Sequence, residues 1–163
     1  MPIVLDPDKP LIAISIYFVE ETKRHGNSVF HFVKSRSDFD DWKSQGYIPE
    51  DAIEPDAPRP EKVINKIITH WKTISWKDQN SILSKSLRQT IKQDGTPYQE
   101  IDAIAYRDLQ LKTCLKRWDL TDEKGKPIDV SAAVIDNLDP AFANELLASF
   151  EEVSNPSSED LKN

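Results

Sequence analysis

The stretch from Leu11 to Val19 (LIAISIYFV) constrains this chain more than any other. It is rich in β-branched and aromatic residues, which fit a pleated strand. Its two faces are both apolar, so it needs cover on both sides or contact with another chain. It is too short to cross a bilayer as a helix. Val29 to Lys34 (VFHFVK) reads as a second strand, and the polar stretch between them holds the turn pair Gly26-Asn27. The two strands form a hairpin with a long loop. A lone hairpin is marginal in water, so a helix, more strands or a partner subunit must cover it. Residues 1–10 contain three prolines and read as an extended arm. They lack the basic start of a signal peptide, and Asp6 and Asp8 interrupt them, so a cytosolic protein is expected.

Beyond the hairpin the pattern turns helical. Ser37-Asp38-Phe39-Asp40 has the form of a capping box, predicting a short helix from Asp38 to Gln45 that stops at Gly46. Residues 49–60 hold four prolines among acids and read as a linker. This divides the chain into a strand-containing part (1–48), a linker (49–60), a helical domain (61–153) and a disordered tail (154–163). In the helical part, Val63, Ile64, Ile67, Ile68, Trp71 and Ile74 form a stripe predicting a helix from Glu61 to Thr73. Ser75 with Asp78 caps a second helix, carrying Trp76, Ile82, Leu83, Leu87 and Ile91 and ended by Asp94-Gly95-Thr96-Pro97. A third is expected from Ile101 to Trp118, with Ile104, Ala105, Leu111, Cys114, Leu115 and Trp118 inward. Ser131 caps a short helix to Asn137. Asp139 and Pro140 start the last helix, whose stripe is Phe142, Ala143, Leu146, Leu147, Phe150 and Val153. The expected class is α+β: an N-terminal β-hairpin or small antiparallel sheet, then a mainly helical bundle.

Charge and chemistry narrow the function. Lys and Arg number 21 and Asp and Glu 28 in 163 residues, a net charge of −7 that disfavours nucleic acid and anionic lipid as partners. Residues 62–117 are richer in base, which suits a solvated helix face or an acidic partner. The lone Cys114, between Leu111 and Leu115, reads as a buried thiol. His25, His31 and His70 have no second ligand at metal spacing. No phosphate-cradling glycine loop or nucleophile elbow occurs, and adjacent acids such as Glu20-Glu21 and Glu151-Glu152 fall in loops or on solvent faces. A non-enzyme without cofactor or metal is expected. Trp71 and Trp118 share the stripes of their helices and read as core, whereas Trp42 and Trp76 serve core or interface equally well. The candidate partner-binding residues are Trp42, Trp76, Phe142, Leu146 and Phe150. The last three serve as core or as part of a groove.

Trp118-Asp119-Leu120, the turn Asp122-Glu123-Lys124-Gly125-Lys126-Pro127 and the helix start Leu138-Asp139-Pro140 make the chain resemble the tail assembly chaperones of long-tailed bacteriophages. Members often carry W-x-L, D-x-x-G-x-P and L-x-P at these places. The Trp71 to Asn80 segment is similar in style, so the likeness spans about Glu61 to Val153. The N-terminal hairpin is less typical of these mostly helical proteins. The resemblance implies a protein that binds the tape measure protein, keeps its apolar helices soluble and helps recruit tail tube subunits. It also implies action in the host cytoplasm and absence from the mature virion. Many members have a longer, frameshifted form, and Leu161-Lys162-Asn163 is compatible with a slippery A-AAA-AAC. Self-association stays open. The alternative is a structural virion protein, a tail or head-tail connector subunit, with Leu11 to Val19 pairing to a neighbour.

Overall fold

The apolar run becomes the inner strand β1 (Ile12–Thr22) of a five-stranded sheet. The structure, a computed structural model, describes residues 8–154. β2 (Ser28–Val33) pairs antiparallel with β1 as the hairpin requires, from Tyr17↔Val33 to Thr22↔Ser28. Gly26 closes the loop at φ +79°, a left-handed conformation that glycine adopts without steric cost. Helix α1 (Arg36–Ser44) follows. Its cap is Ser35 rather than Ser37: Ser35 Oγ accepts from the Asp38 amide, and Asp38 returns a bond to Lys34 N. Ser35 and Asp38 have the same capping spacing, two residues earlier than expected.

The segment at 49–60 does not separate two units. β3 (Ile48–Pro49) pairs in parallel with β4 (Val63–Trp71), and Glu50 Oε2 accepts from Lys66 N at 2.8 Å. β4 in turn pairs antiparallel with β1, from Ile12↔Trp71 to Phe18↔Asn65. A helix expected at Glu61 to Thr73 is therefore a strand. Five of the nine residues of VINKIITHW are β-branched (Val63, Ile64, Ile67, Ile68, Thr69), and their stiff side chains favour the pleat.

Helix α2 (Trp76–Ser86) has the expected capping box, with both Ser75 and Asp78 bonds formed. Two further corrections follow. The chain leaves helix at Leu87 and forms a ribbon, β5 (Leu87–Ile91) and β6 (Pro97–Ile101), where continued helix and then a turn were expected. The third helix, α3 (Ala103–Cys114), is shorter than expected, and β7 (Leu115–Trp118) pairs with the end of β4, Thr69↔Trp118. Strands make up 30% and helices 37%, so the mainly helical bundle is replaced by a mixed sheet-and-helix fold.

Helices α4 (Ala132–Asp136) and α5 (Pro140–Ser154) start as expected, capped by Ser131 Oγ and by Asp139 Oδ1, which accepts from Ala141 N and Phe142 N. α5 lies across one face of the sheet. Its Phe142, Leu146, Leu147 and Phe150 are buried with Ile14, Ile16, Ile67, Trp71, Leu111, Cys114, Leu115 and Ile135. Each such side chain stabilises the fold by about 1.5–3 kcal/mol through burial. Trp71 stacks on Phe150 with centroids 4.6 Å apart. Trp118, expected in the core, is half-buried and packs against the same cluster. The tail expected at 154–163 lies outside the described residues except Ser154, which ends α5. Residues 1–7 of the expected arm also lie outside them.

Candidate functional site

The ribbon β5–β6 grows from a junction between α2 and α3 that local bonds define closely. Ser86 Oγ donates to Ile82 O at 2.6 Å, and Asp102 N donates to Ser86 O at 2.7 Å. Asp102 then caps α3 by accepting from Ile104 N and Ala105 N. The far end turns through Asp94-Gly95. Gly95 sits at φ +86°, Lys92 N donates to Thr96 O, and Asp94 Oδ1 accepts from Thr96 N.

Pairing register assigns every ribbon residue to a face. Arg88↔Glu100 and Thr90↔Tyr98 share one face, and Leu87↔Ile101, Gln89↔Gln99 and Ile91↔Pro97 share the other. The first face satisfies itself. Arg88 Nε donates to Glu100 Oε1 at 2.7 Å, Thr90 Oγ1 donates to the same oxygen at 3.1 Å, and Lys92 lies over the Tyr98 ring. The Arg88 hydrogen bond, then that from Thr90, holds the Glu100 carboxyl below its usual range. The second face has no such closure. Leu87 is 45% exposed, Ile101 51% and Ile91 71%, and Ile104 in the first turn of α3 is 81% exposed. A two-stranded ribbon cannot bury its own face, and clustered exposed apolar residues of this kind mark interaction sites.

The five residues expected to bind partners are dispersed. Phe142, Leu146 and Phe150 are at most 7% exposed beneath α5, so they form core and not an open groove. Trp42 is half-buried on the opposite face of the sheet, between the His31 ring at 5.4 Å and the Tyr47 ring at 5.0 Å. Trp76 alone of the five is widely exposed, at 78%. It stands at the start of α2, about 16 Å along the helix from the ribbon. Ile104, expected inward, is instead exposed in the first turn of α3. The residues missed were Leu87, Ile91 and Ile101. The signal was present: Asp-Gly between two short runs is a hairpin pattern.

The polar chemistry of the molecule is local. His31 Nε2 lies 3.1 Å from Glu21 Oε2 across the β1–β2 hairpin. Burial pushes the Cys114 thiol up to about 11, which leaves it protonated and unreactive at neutral pH. Among the described residues no group of three or more His, Cys, Asp or Glu side chains is placed to hold a metal ion. No helix among them is long and apolar enough to cross a membrane. No protein-family model, curated protein or solved structure matches the chain.

Proposed function

We propose that this chain is a tail assembly chaperone of a long-tailed bacteriophage, binding the tape measure protein and helping to recruit tail tube subunits in the host cytoplasm. It acts without catalysis, cofactor or metal. The uncovered face of Leu87, Ile91 and Ile101 is the observation that carries the binding role. A client with long amphipathic helices offers an apolar stripe, and the ribbon face, with Leu87 and Ile101 at its base, Ile91 and Pro97 near its tip and Gln89 and Gln99 between, can cover part of such a stripe. The net charge of −7 keeps a loaded complex soluble.

The residues that carry the family resemblance build the corner between β7 and α5, at the end of α3 away from the ribbon. Trp118 Nε1 donates to Ile128 O at 2.5 Å, and Asp122 Oδ1 accepts from Lys124 N and Lys126 N, folding the corner that leads to α4. They set the fold, and the ribbon supplies the contact. The alternative of a virion subunit drew on Leu11 to Val19 pairing with a neighbour. β1 pairs with β4 over Ile12–Phe18 and with β2 over Tyr17–Thr22, and its Ile14, Ile16 and Val19 side chains are buried within the chain, so its apolar faces do not call for a neighbouring subunit.

Co-expression with the tape measure protein tests this role. The two should co-purify, the client should gain solubility, and Ile91→Asp with Ile101→Asp should abolish capture while leaving the fold intact. A folded wild-type chain that captures nothing overturns the function. Capture that survives the double substitution overturns the ribbon as its site. Abundant copies in purified virions favour the structural alternative.

A further inference from the structure

Where β2 ends, the chain turns through Lys34 and Ser35 into α1, and a cleft of about 440 Å³ lies between this helix and the sheet. Its floor is Tyr17 and Val33, a registered pair at the end of the hairpin, with Phe39, whose ring meets Tyr17 edge-on at 5.7 Å between centroids. Arg36, Phe39, Asp40 and Lys43 recur at helical spacing, so α1 turns one face to the cleft and lines its rim with charge. Lys43 Nζ lies 5.1 Å from the Phe39 ring centroid, and Lys66 Nζ lies 5.8 Å from that of Tyr17. Each ring of the floor therefore has a cation over its face.

The charges at this rim are not balanced. One carboxylate, that of Asp40, lines the cleft with three cations, Lys34, Arg36 and Lys43. Lys34 pairs with Glu145, and Lys66 beside the cleft pairs with Asp51. Among the described residues neither Arg36 nor Lys43 has a carboxylate partner, although the chain carries 28 acids against 21 bases. We propose that the cleft docks a short acidic segment of a partner protein, its carboxylates meeting Arg36 and Lys43 while a neighbouring apolar side chain lies against Tyr17 and Phe39. The volume suits a few side chains. A net charge of −7 repels a long polyanion such as nucleic acid, whereas a short segment is governed by the charges within a screening length of it. No ribbon residue lines the cleft, so this site stands apart from the one on β5–β6.

Fluorescence anisotropy of the full chain tests it, with a short labelled peptide alternating glutamate and leucine. The peptide should bind, and its glutamine counterpart should bind roughly tenfold more weakly or worse. Arg36→Glu with Lys43→Glu, both exposed positions, should cost a similar factor, and Arg36→Gln with Lys43→Gln a smaller one. Lys23→Glu with Lys124→Glu makes the same change in net charge within turns outside the cleft and should leave affinity unchanged. Absence of binding by the wild-type chain, or an equal loss in the turn variant, overturns the proposal. So does displacement of the peptide by a single-stranded oligonucleotide at equal concentration, the mark of a general anion surface. Ile91→Asp with Ile101→Asp should not alter binding, and a loss there overturns the cleft as the site.

Discussion

Replacing Thr69 by Val should weaken the fold more than replacing it by Ser. Thr69 is fully buried in the last third of β4. Its hydroxyl donates to Ile14 O at 2.8 Å and accepts from Trp71 Nε1 at 2.7 Å. Val preserves the shape and removes both bonds. The indole N–H, on a Trp with no exposed surface, then has no acceptor, which costs about 1–3 kcal/mol, and the bond to Ile14 adds about 1 kcal/mol. The total, about 2–4 kcal/mol, corresponds to a fall in Tm of roughly 4–16 °C for a chain of this size. Ser keeps both bonds and loses one methyl, about 1 kcal/mol. In a Trp71→Phe background no indole donor remains, so Thr69→Val should there cost only about 1 kcal/mol. Urea unfolding of the four variants and wild type, read as midpoint and slope, measures all of this. Val no more costly than Ser, or equally costly in both backgrounds, refutes the buried relay as a source of stability.

Other consequences are more direct. Phe150→Ala removes the ring stacked on Trp71 and should cost about 3–5 kcal/mol in the same unfolding assay. The Asp78 carboxyl is held below its ordinary value of 3.8, chiefly by the hydrogen bond from Lys72 and then by Ser75. Its contribution is therefore complete above that value and lost as pH falls through the lower folded-state value, so Asp78→Asn should flatten the acid limb of a stability–pH profile. A thiol reagent should label native Cys114 only as fast as the chain opens, with a rate that climbs as urea is added, and a urea-independent rate would contradict its burial.

Local signals in the sequence transferred well where the physics is local. Ser75 with Asp78, Ser131, Asp139 and Pro140 all start helices in the structure, because a cap needs only its own few residues. The β1–β2 hairpin was legible for the same reason, since strand composition and the Gly26-Asn27 turn point the same way. β4 was not. Val63, Ile64, Ile67 and Ile68 satisfy a helical period and a strand composition together, and what decides is the match to β1, some fifty residues earlier. Leu87 and Ile91 were drawn into α2 by spacing alone, although Asp94-Gly95 marked a hairpin after them. The stripe of Phe142, Leu146 and Phe150 was visible, but whether a stripe is core or groove depends on what lies across from it. Here that is the β-sheet, whose extent the sequence did not disclose.

The closure of the ribbon at Asp102 N to Ser86 O makes it a cassette. Its two ends leave the helix pair side by side, so residues 87–101 can be exchanged for a short turn, or for another ribbon, while α2 and α3 keep their antiparallel packing. Under the proposed binding role, surface specificity and core stability are written in separate parts of the chain, and fifteen residues can be altered without reopening the packing around Trp71 and Phe150.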